Sequence, residues 1–458
     1  MNVAIIGTGY VGLVTGVCLA TKGHLVTCVD QQSSRVAMLQ RGETPFFEPG
    51  LDTLLRETLA SGTFSATADT AAAVADAELV IVTVGTPTTE GGIDLTHLGT
   101  ALNEIGMALA ADDSYRVVVI KSTVVPTTTT RFALPLLEHA SGKVVGQGFG
   151  LTMNPEFLRE GTAVNDFQVP DRIVIGEYDA RSGAAVQALY EPYACPKVHT
   201  GLSDAELIKY TSNALLATLI SFSNEVATVC EAVPGTDVET VMDALHLDRR
   251  LSPVVNGRRV TPAILTYLRA GAGFGGSCLP KDVSALRHFG GEHGLSMPLL
   301  DAVLTINAAR PQQVVDIVHA ELGDLRGRSI AILGLAFKAG TDDLRESASL
   351  RLAALLLAAG AEVSAYDPIA LGYAHNSVDP RIRIANDAPA VFAGSDAVVL
   401  MTAWPQFKDW RWGDLTTSMH TAVVIDGRNA LRKVEWPSAV RYRTIGTAKA
   451  QHAVAAVG

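Results

Sequence analysis

Residues 2–30 read NVAIIGTGYVGLVTGVCLATKGHLVTCVD. Val3–Ile6 is a short apolar run, Gly7, Gly9 and Gly12 follow with the spacing GxGxxG, and Tyr10–Thr21 carries helical periodicity. Leu25–Val29 is a second apolar run, ending at Asp30. The first glycine of such a turn permits its tightness, the second lets a pyrophosphate approach the backbone, and the third lets the helix pack on the strand. The helix N-terminus offers N–H groups and positive potential to phosphate. Asp30 lies 18 residues past Gly12, near the spacing of an acid that binds a ribose diol. A carboxylate there accepts from the diol and repels a 2′-phosphate, which favours NAD over NADP; Arg35 nearby weakens that preference slightly. The expected cofactor contacts are Gly7, Gly9, Tyr10, Val11, Gly12, Asp30 and Arg35.

Outward from this unit the alternation continues. Leu79–Val84 and Val117–Ile120 are buried apolar runs, each followed by a turn rich in Gly, Thr, Ser or Pro. Continuous apolar strands separated by helices indicate a parallel sheet covered on both faces. From Asp204 to about Val233 the pattern is one long helix, with Leu207, Ile208, Leu215, Leu219, Phe222 and Val226 at helical spacing. Ser203 and Glu206 read as a capping box at its start. Such a helix, expected to be buried, would connect two sheet domains and form a dimer surface. Strand signals then return at Ser329–Leu333, Glu362–Tyr366 (ending at Asp367), Ala397–Met401 and Ala422–Ile425, with a helix over Leu350–Ala359. The turn here is GLAFKAG, so this second domain should hold a nucleotide differently. The expected architecture is α/β: two doubly wound Rossmann-like domains joined by a long central helix. The expected divisions are 1–200, 201–315 and 316–458, and the tail after about Thr447 reads as frayed.

Bulk properties exclude several classes. With 458 residues, 48% hydrophobic and 18% charged, the chain is long enough for two or three folded domains. A net charge of −11 argues against nucleic acid or an anionic membrane as partner. The apolar N-terminus lacks the basic leading region of a signal peptide, and no run of 18 uninterrupted apolar residues implies a membrane span. The five cysteines form neither a disulfide framework nor a metal-ligand cluster, so a reduced, cytoplasmic setting without a metal is expected.

Residues 273–282 read GFGGSCLPKD. Cys18, Cys28, Cys195 and Cys230 read as packing residues, but a glycine-rich loop permits close ligand approach and sets Cys278 apart. Lys281 and Asp282 follow directly, and a nearby cation favours a thiolate. Lys209 and Asn213 are four residues apart on the long helix and share a face; an amine and an amide so placed could stabilise an oxyanion.

These segments together resemble the UDP-glucose/GDP-mannose dehydrogenase family. The resemblance runs through nearly the whole chain in order: GTGYVG at 7–12, GTPT at 85–88, KSTV at 121–124, NPEFLREGTA at 154–163 and PDRIVIG at 170–176. It continues with IKYTSNA at 208–214, GFGGSCLPKD, GLAFKAGTDDLRES at 334–347 and IDGRN at 425–429. It implies an N-terminal NAD domain, a central dimer-forming region and a C-terminal domain for the sugar nucleotide. It implies two successive oxidations of the sugar's terminal alcohol with NAD and no metal. The Cys278 thiolate would capture the aldehyde as a thiohemiacetal, and a thioester would then be hydrolysed to the uronic acid. Carried over by motif, Lys209 and Asn213 would stabilise oxyanions, Asp282 and Thr123 would position water, and Glu156 would be the base in hydrolysis. Thr86, Thr123, Glu160 and Arg345 match cofactor-contacting positions. Glu156, Phe157, Leu158, Phe274, Gly275, Lys338 and Arg428 match sugar-nucleotide contacts, with Lys209 and Asn213 beside them.

PDRIVIG and IDGRN look more like the UDP-glucose branch than the GDP-mannose branch. One segment departs from that branch: RRLSPVVNGRRVTPAILTYLRAGAGFGG, from Arg249 onward, carries an insertion of several residues. That region holds the nucleotide in the family and can donate an arginine to a neighbouring subunit. Arg250 is the first candidate, Arg258 and Arg259 are others, and Tyr267 stands near a family phenylalanine. The expected substrate is therefore UDP-glucose or dTDP-glucose, with GDP-mannose or a UDP-N-acetylhexosamine as rivals and a homodimer or larger assembly as the working form. A silent nucleotide sensor would have no use for Cys278, Lys209, Asn213 and Asp282 together. A two-electron hydroxyacid dehydrogenase leaves the cysteine loop unexplained.

Overall fold

The computed structural model describes residues 1–89, 92–372 and 378–448; the tail expected to fray lies mostly outside them. The chain divides into two compact units, Met1–Ser212 and Asn213–Gly458. The division falls inside one 31-residue helix, Leu202–Ala232.

The first unit is built on strands β1 (Asn2–Ile6), β2 (Leu25–Val29), β3 (Phe64–Thr67), β4 (Leu79–Val82), β5 (Val117–Ile120), β6 (Gly150–Met153), β7 (Ile173–Glu177) and β8 (Lys197–Thr200). Their order in the sheet is β8-β7-β6-β5-β4-β1-β2-β3. All neighbours are parallel except β6 and β7. Val3 and Ile5 enter one core with Leu79, Ile81, Val117 and Val119; Ala4 and Ile6 enter the opposite core with Val80, Val82, Val118 and Ile120. Period-two side chains buried on both faces explain why these strands read as unbroken apolar runs. Strand order reverses between β1 and β4, where an open α/β sheet leaves a crevice for ligand at its carboxyl edge.

The second unit repeats the plan with β9 (Ser329–Leu333), β10 (Glu362–Tyr366), β11 (Arg383–Ile384), β12 (Ala397–Leu400), β13 (Val423–Asp426) and β14 (Arg441–Thr444). The order is β11-β10-β9-β12-β13-β14, parallel throughout. Trp410 and Trp412 pack with Phe392, and Trp436 joins Trp412 and stacks on Tyr442. Trp404 is buried in the same core.

Two expectations about the long helix are corrected. It begins at Leu202, so Ser203 lies inside it and forms no capping box. Glu206 instead accepts from Thr127 N (2.6 Å), Thr129 N (2.7 Å) and Thr129 Oγ1 (2.6 Å). The helix is also not buried all round: Leu207, Leu215 and Phe222 are 41, 50 and 48% exposed. Helical periodicity in the sequence shows that a face is apolar, not what covers it.

Candidate active site

In the first unit, Gly7 has φ +103°, a backbone conformation that disfavours residues with a Cβ. A Cβ on Gly12 would stand 2.0 Å from the Gly7 carbonyl oxygen and 2.5 Å from Thr83 Oγ1, whereas one on Gly9 would meet nothing within 4 Å. The turn is crowded where helix meets strand and open where a diphosphate would lie, so it fits a dinucleotide. Asp30 Oδ2 accepts from Thr8 Oγ1 (2.5 Å) and Thr8 N (3.1 Å), and Oδ1 from Gln32 N (2.9 Å). Arg35 pairs with Asp30 at 3.2 Å. Burial works against the Asp30 carboxylate, but the Thr8 hydroxyl, the two amides and Arg35 hold it below its ordinary range. Tyr10 donates its hydroxyl to Glu48, which also accepts from Gly161 N (2.6 Å); the Tyr10 side chain thus ties the turn to the 154–163 segment. Thr86 Oγ1 donates to the Thr123 carbonyl (2.6 Å), joining the loops after β4 and β5 at the edge of the crevice.

The segment after β6 carries the charged centre of this unit. Glu156 is buried and accepts from Lys209 Nζ (2.7 Å) and Leu158 N (2.6 Å). Burial opposes its charge, but Lys209 outweighs that, with help from the Leu158 amide and Lys121, and the carboxyl stays below its usual range. The Phe157 ring has the Arg172 guanidinium over it at 4.0 Å and Lys209 Nζ at 5.7 Å from its centre. A cavity of about 180 Å³ is lined by Lys121, Asn154, Glu156, Phe157, Arg172 and Tyr190, among others. Glu160 is buried on the same segment.

In the second unit, Cys278 is half-buried and is the N-cap of helix Leu279–Glu292. A thiolate at a helix N-terminus is favoured by the local positive potential. Asp282, one turn on, accepts from Asn213 Nδ2 (2.6 Å) and pairs with Lys281 at 2.6 Å. Lys281 therefore balances Asp282. The loop before Cys278 is clamped. Asn307 accepts from Phe274 N (2.8 Å) and donates to Phe274 O (3.0 Å). Arg310 donates to Gly271 O (3.0 Å) and Arg428 to Gly273 O (2.6 Å). A Cβ on Gly275 would stand 2.2 Å from the Glu346 carbonyl oxygen, so only glycine fits that crossing. The Phe274 ring is buried with Val283, Leu300 and Val303.

Arg428 also donates to Met401 O (2.6 Å), and its burial pulls the guanidinium down to about 10. Lys338 Nζ lies 5.7 Å from the Phe337 ring. Arg345 forms a bidentate pair with Asp343, and its side chain is largely exposed. Asp367, the counterpart of Asp30, accepts from the amides of Leu335, Ala336, Ile369 and Ala370 and from Trp404 Nε1. A carboxylate has about four lone-pair sites, so Asp367 is fully used in fixing the turn and has none to offer a ribose. The insertion is a hairpin pairing Val254–Val255 with Arg258–Arg259 across Asn256-Gly257, both at positive φ, as a type I′ turn requires. Arg259 donates to Leu247 O and Ser252 O, Arg250 is exposed and pairs with Asp248, and Tyr267 closes a short 3₁₀ turn.

Sequence reading gave no role to Lys121, Asn154 and Tyr190 around the cavity, nor to Asn307 and Arg310 at the loop. A lysine ending the apolar run VVVIK was a usable signal for the first; nothing local marks Asn307 or Arg310.

A GxGxxG turn fitted to a dinucleotide, a second doubly wound unit with a different turn, and a cysteine at a helix N-terminus define an NAD-dependent oxidoreductase. Residues 1–194, 203–309 and 331–433 match the NAD binding, central and UDP binding domains of the UDP-glucose/GDP-mannose dehydrogenase family. The chain belongs to that family and is an NAD-dependent nucleotide-sugar 6-dehydrogenase. It is 38% identical to a UDP-glucose 6-dehydrogenase of Bacillus subtilis, over 97% of this chain and 93% of that one. It is 40% identical to a GDP-mannose 6-dehydrogenase of Pseudomonas syringae pv. tomato, over 80% and 81%. The structure of a UDP-glucose dehydrogenase from Pyrobaculum islandicum superposes with a TM-score of 0.88 at 36% identity, covering 97% of both chains.

Proposed function

We propose that the chain oxidises an NDP-glucose, UDP-glucose or dTDP-glucose, by four electrons to the NDP-glucuronic acid, with Cys278 as covalent nucleophile. The observation that carries this is Cys278 at the N-cap of helix Leu279–Glu292, one turn from an Asp282 held by Asn213 and Lys281. NAD supplies the electron acceptor for both oxidations, held by the Gly7–Gly12 turn, Asp30, Thr86 and Thr123. The Cys278 thiolate adds to the aldehyde carbon formed first, and the Lys209 ammonium and Asn213 amide stabilise the resulting oxyanion. The second oxidation converts the thiohemiacetal to a thioester. Water positioned by Asp282 and Thr123 attacks that carbonyl, Glu156 takes the water proton, and the C–S bond breaks to release thiolate and carboxylate. Covalent capture keeps the aldehyde from escaping between the two oxidations.

Phe157, Leu158, Phe274, Gly275, Lys338 and Arg428 are assigned to the sugar nucleotide, Tyr10, Val11, Glu160, Arg35 and Arg345 to the cofactor, and Arg250 and Tyr267 to the base. PDRIVIG at 170–176 and IDGRN at 425–429 look more like the UDP-glucose branch than the GDP-mannose branch; this supports a glucose substrate. The working form is a homodimer or larger homo-oligomer in the cytoplasm, with residues 201–315 as the dimer interface. Leu215, Phe222 and Val229, 50, 48 and 59% exposed at seven-residue spacing on one helix, make an apolar seam suited to a second copy. The test is NADH formed per sugar consumed, with UDP-glucose, dTDP-glucose, UDP-N-acetylglucosamine and GDP-mannose offered separately. Two per sugar supports covalent capture and identifies the substrate; one means that the aldehyde is released and the thioester route is wrong.

A further inference from the structure

Three buried ionisable side chains of the first unit are electrostatically coupled: Glu156, Lys209 and Lys121, at 6, 3 and 4% exposure. They sum to one excess positive charge. Lys209 meets Glu156 directly at 2.7 Å. Lys121 is bound by neutral groups: Asn154 Oδ1 (2.9 Å), Asn154 O (3.4 Å) and Tyr190 Oη (3.4 Å). Tyr190 donates its own proton to Asn154 Oδ1 (2.7 Å), which turns its oxygen lone pairs toward the ammonium. A buried ammonium held by neutral acceptors is costly, and a packing role would be met by an apolar residue. Lys121, Glu156 and Tyr190 line one cavity, whose other titratable groups are Arg159, Asp166, Asp171 and Arg172. Two of these are pairing with each other, Arg159 with Asp166 at 2.6 Å, and Arg172 lies over the Phe157 ring.

The geometry points to Lys121 as a positioning residue for the hydrolytic step: a second buried cation that keeps Glu156 ionised while the Lys209 ammonium is engaged by a substrate oxyanion. This rests on the roles proposed above for Glu156 and Lys209. Burial alone would favour protonated Glu156, and a protonated carboxyl cannot take the proton of water. The same field acts on Lys121, whose burial brings its ammonium down to about 8, so the arrangement should weaken again in alkali.

The test uses the full-length enzyme and its three variants Lys121→Met, Lys121→Arg and Glu156→Gln, each checked by thermal melting and by NAD titration. The pH dependence of thioester hydrolysis is followed by intact-protein mass spectrometry of the Cys278 adduct after rapid acid quench. Lys121→Met should move the acid limb upward, leaving thioester to accumulate at pH values where the wild type clears it. Lys121→Arg should restore the limb, and the Kd for NAD should be unchanged. An acid limb unmoved in folded Lys121→Met, while Glu156→Gln accumulates thioester at all pH values, overturns the role of Lys121 and leaves that of Glu156 standing. Glu156→Gln hydrolysing thioester at the wild-type rate overturns the reading of Glu156 itself. If Lys121→Met does not fold, Lys121→Arg decides: an arginine that folds but shifts the limb as a neutral residue would overturn the charge argument.

Discussion

Replacing Lys209 by Met tests the energetics of the buried pair. The ammonium stands 2.7 Å from Glu156 Oε1, with both side chains at most 5% exposed. At an effective dielectric of about 20 the attraction is about 6 kcal/mol, against which the desolvation of both ions is set. Removing one partner of such a pair typically costs about 3–5 kcal/mol. A second bound follows from titration, because the variant can always protonate Glu156 instead. From an unfolded carboxyl near 4.3, protonation costs about 4 kcal/mol at pH 7.5 but only about 1 kcal/mol at pH 5. The wild-type carboxyl is depressed, so the stability from its pair is fully present above the unfolded value and is lost only as pH falls below it, through the folded value. The gap between the two proteins should therefore be several kcal/mol at pH 7.5 and narrow by about 3 kcal/mol at pH 5. Because the chain has two units, the readout is hydrogen exchange of β6 and the 154–158 segment in increasing urea. A loss below about 1 kcal/mol at pH 7.5, or one that is the same at both pH values, would refute the reasoning.

Cys278→Ser should keep its fold and NAD affinity while uronate formation falls by about 10³-fold or more; undiminished turnover removes the thiol from the mechanism. Gly12→Ala puts a methyl 2.0 Å from the Gly7 carbonyl oxygen; calorimetry should show NAD affinity lowered by at least about tenfold, with about 1–3 kcal/mol lost in stability. Asn307→Ala leaves the Phe274 amide and carbonyl without their partner, costing about 1–3 kcal/mol. It should lower kcat by about 10- to 100-fold at unchanged KM for NAD, and slow alkylation of Cys278. Phe222→Glu should shift the sedimentation coefficient from dimer to monomer without unfolding the chain.

The sheets were the most legible part of this chain. Ser329–Leu333 and Glu362–Tyr366 read from sequence with the bounds that the fold has, because strands buried on both faces are unbroken apolar runs between turn residues. The glycine turn and the cysteine loop were legible for a related reason: Gly12 and Gly275 sit where backbone crosses backbone, and composition records that directly. What was not legible is partnership at a distance. Ser203 and Glu206 have the spacing of a cap, yet Glu206 satisfies amides near Thr128, some 77–79 positions away in the chain. Asn307 and Arg310 lie in an ordinary helical pattern, and only the tertiary fold brings them under residues 271–274. Asp367 occupies the position of a ribose acid but has every lone pair taken by its own turn. No residue pattern states that.

The packing of the aromatic core in the second unit has an optical consequence. All four tryptophans of the chain, Trp404, Trp410, Trp412 and Trp436, lie there, while the first unit's aromatic side chains are tyrosine and phenylalanine. Light absorbed at the red edge of the protein band therefore excites only the C-terminal unit. Its emission is a private signal of the domain that the family uses for the sugar nucleotide. The dinucleotide unit, dark at that wavelength, becomes visible only through the fluorescence of the reduced cofactor it holds. The two halves of the enzyme can thus be watched in separate colours, with no label attached.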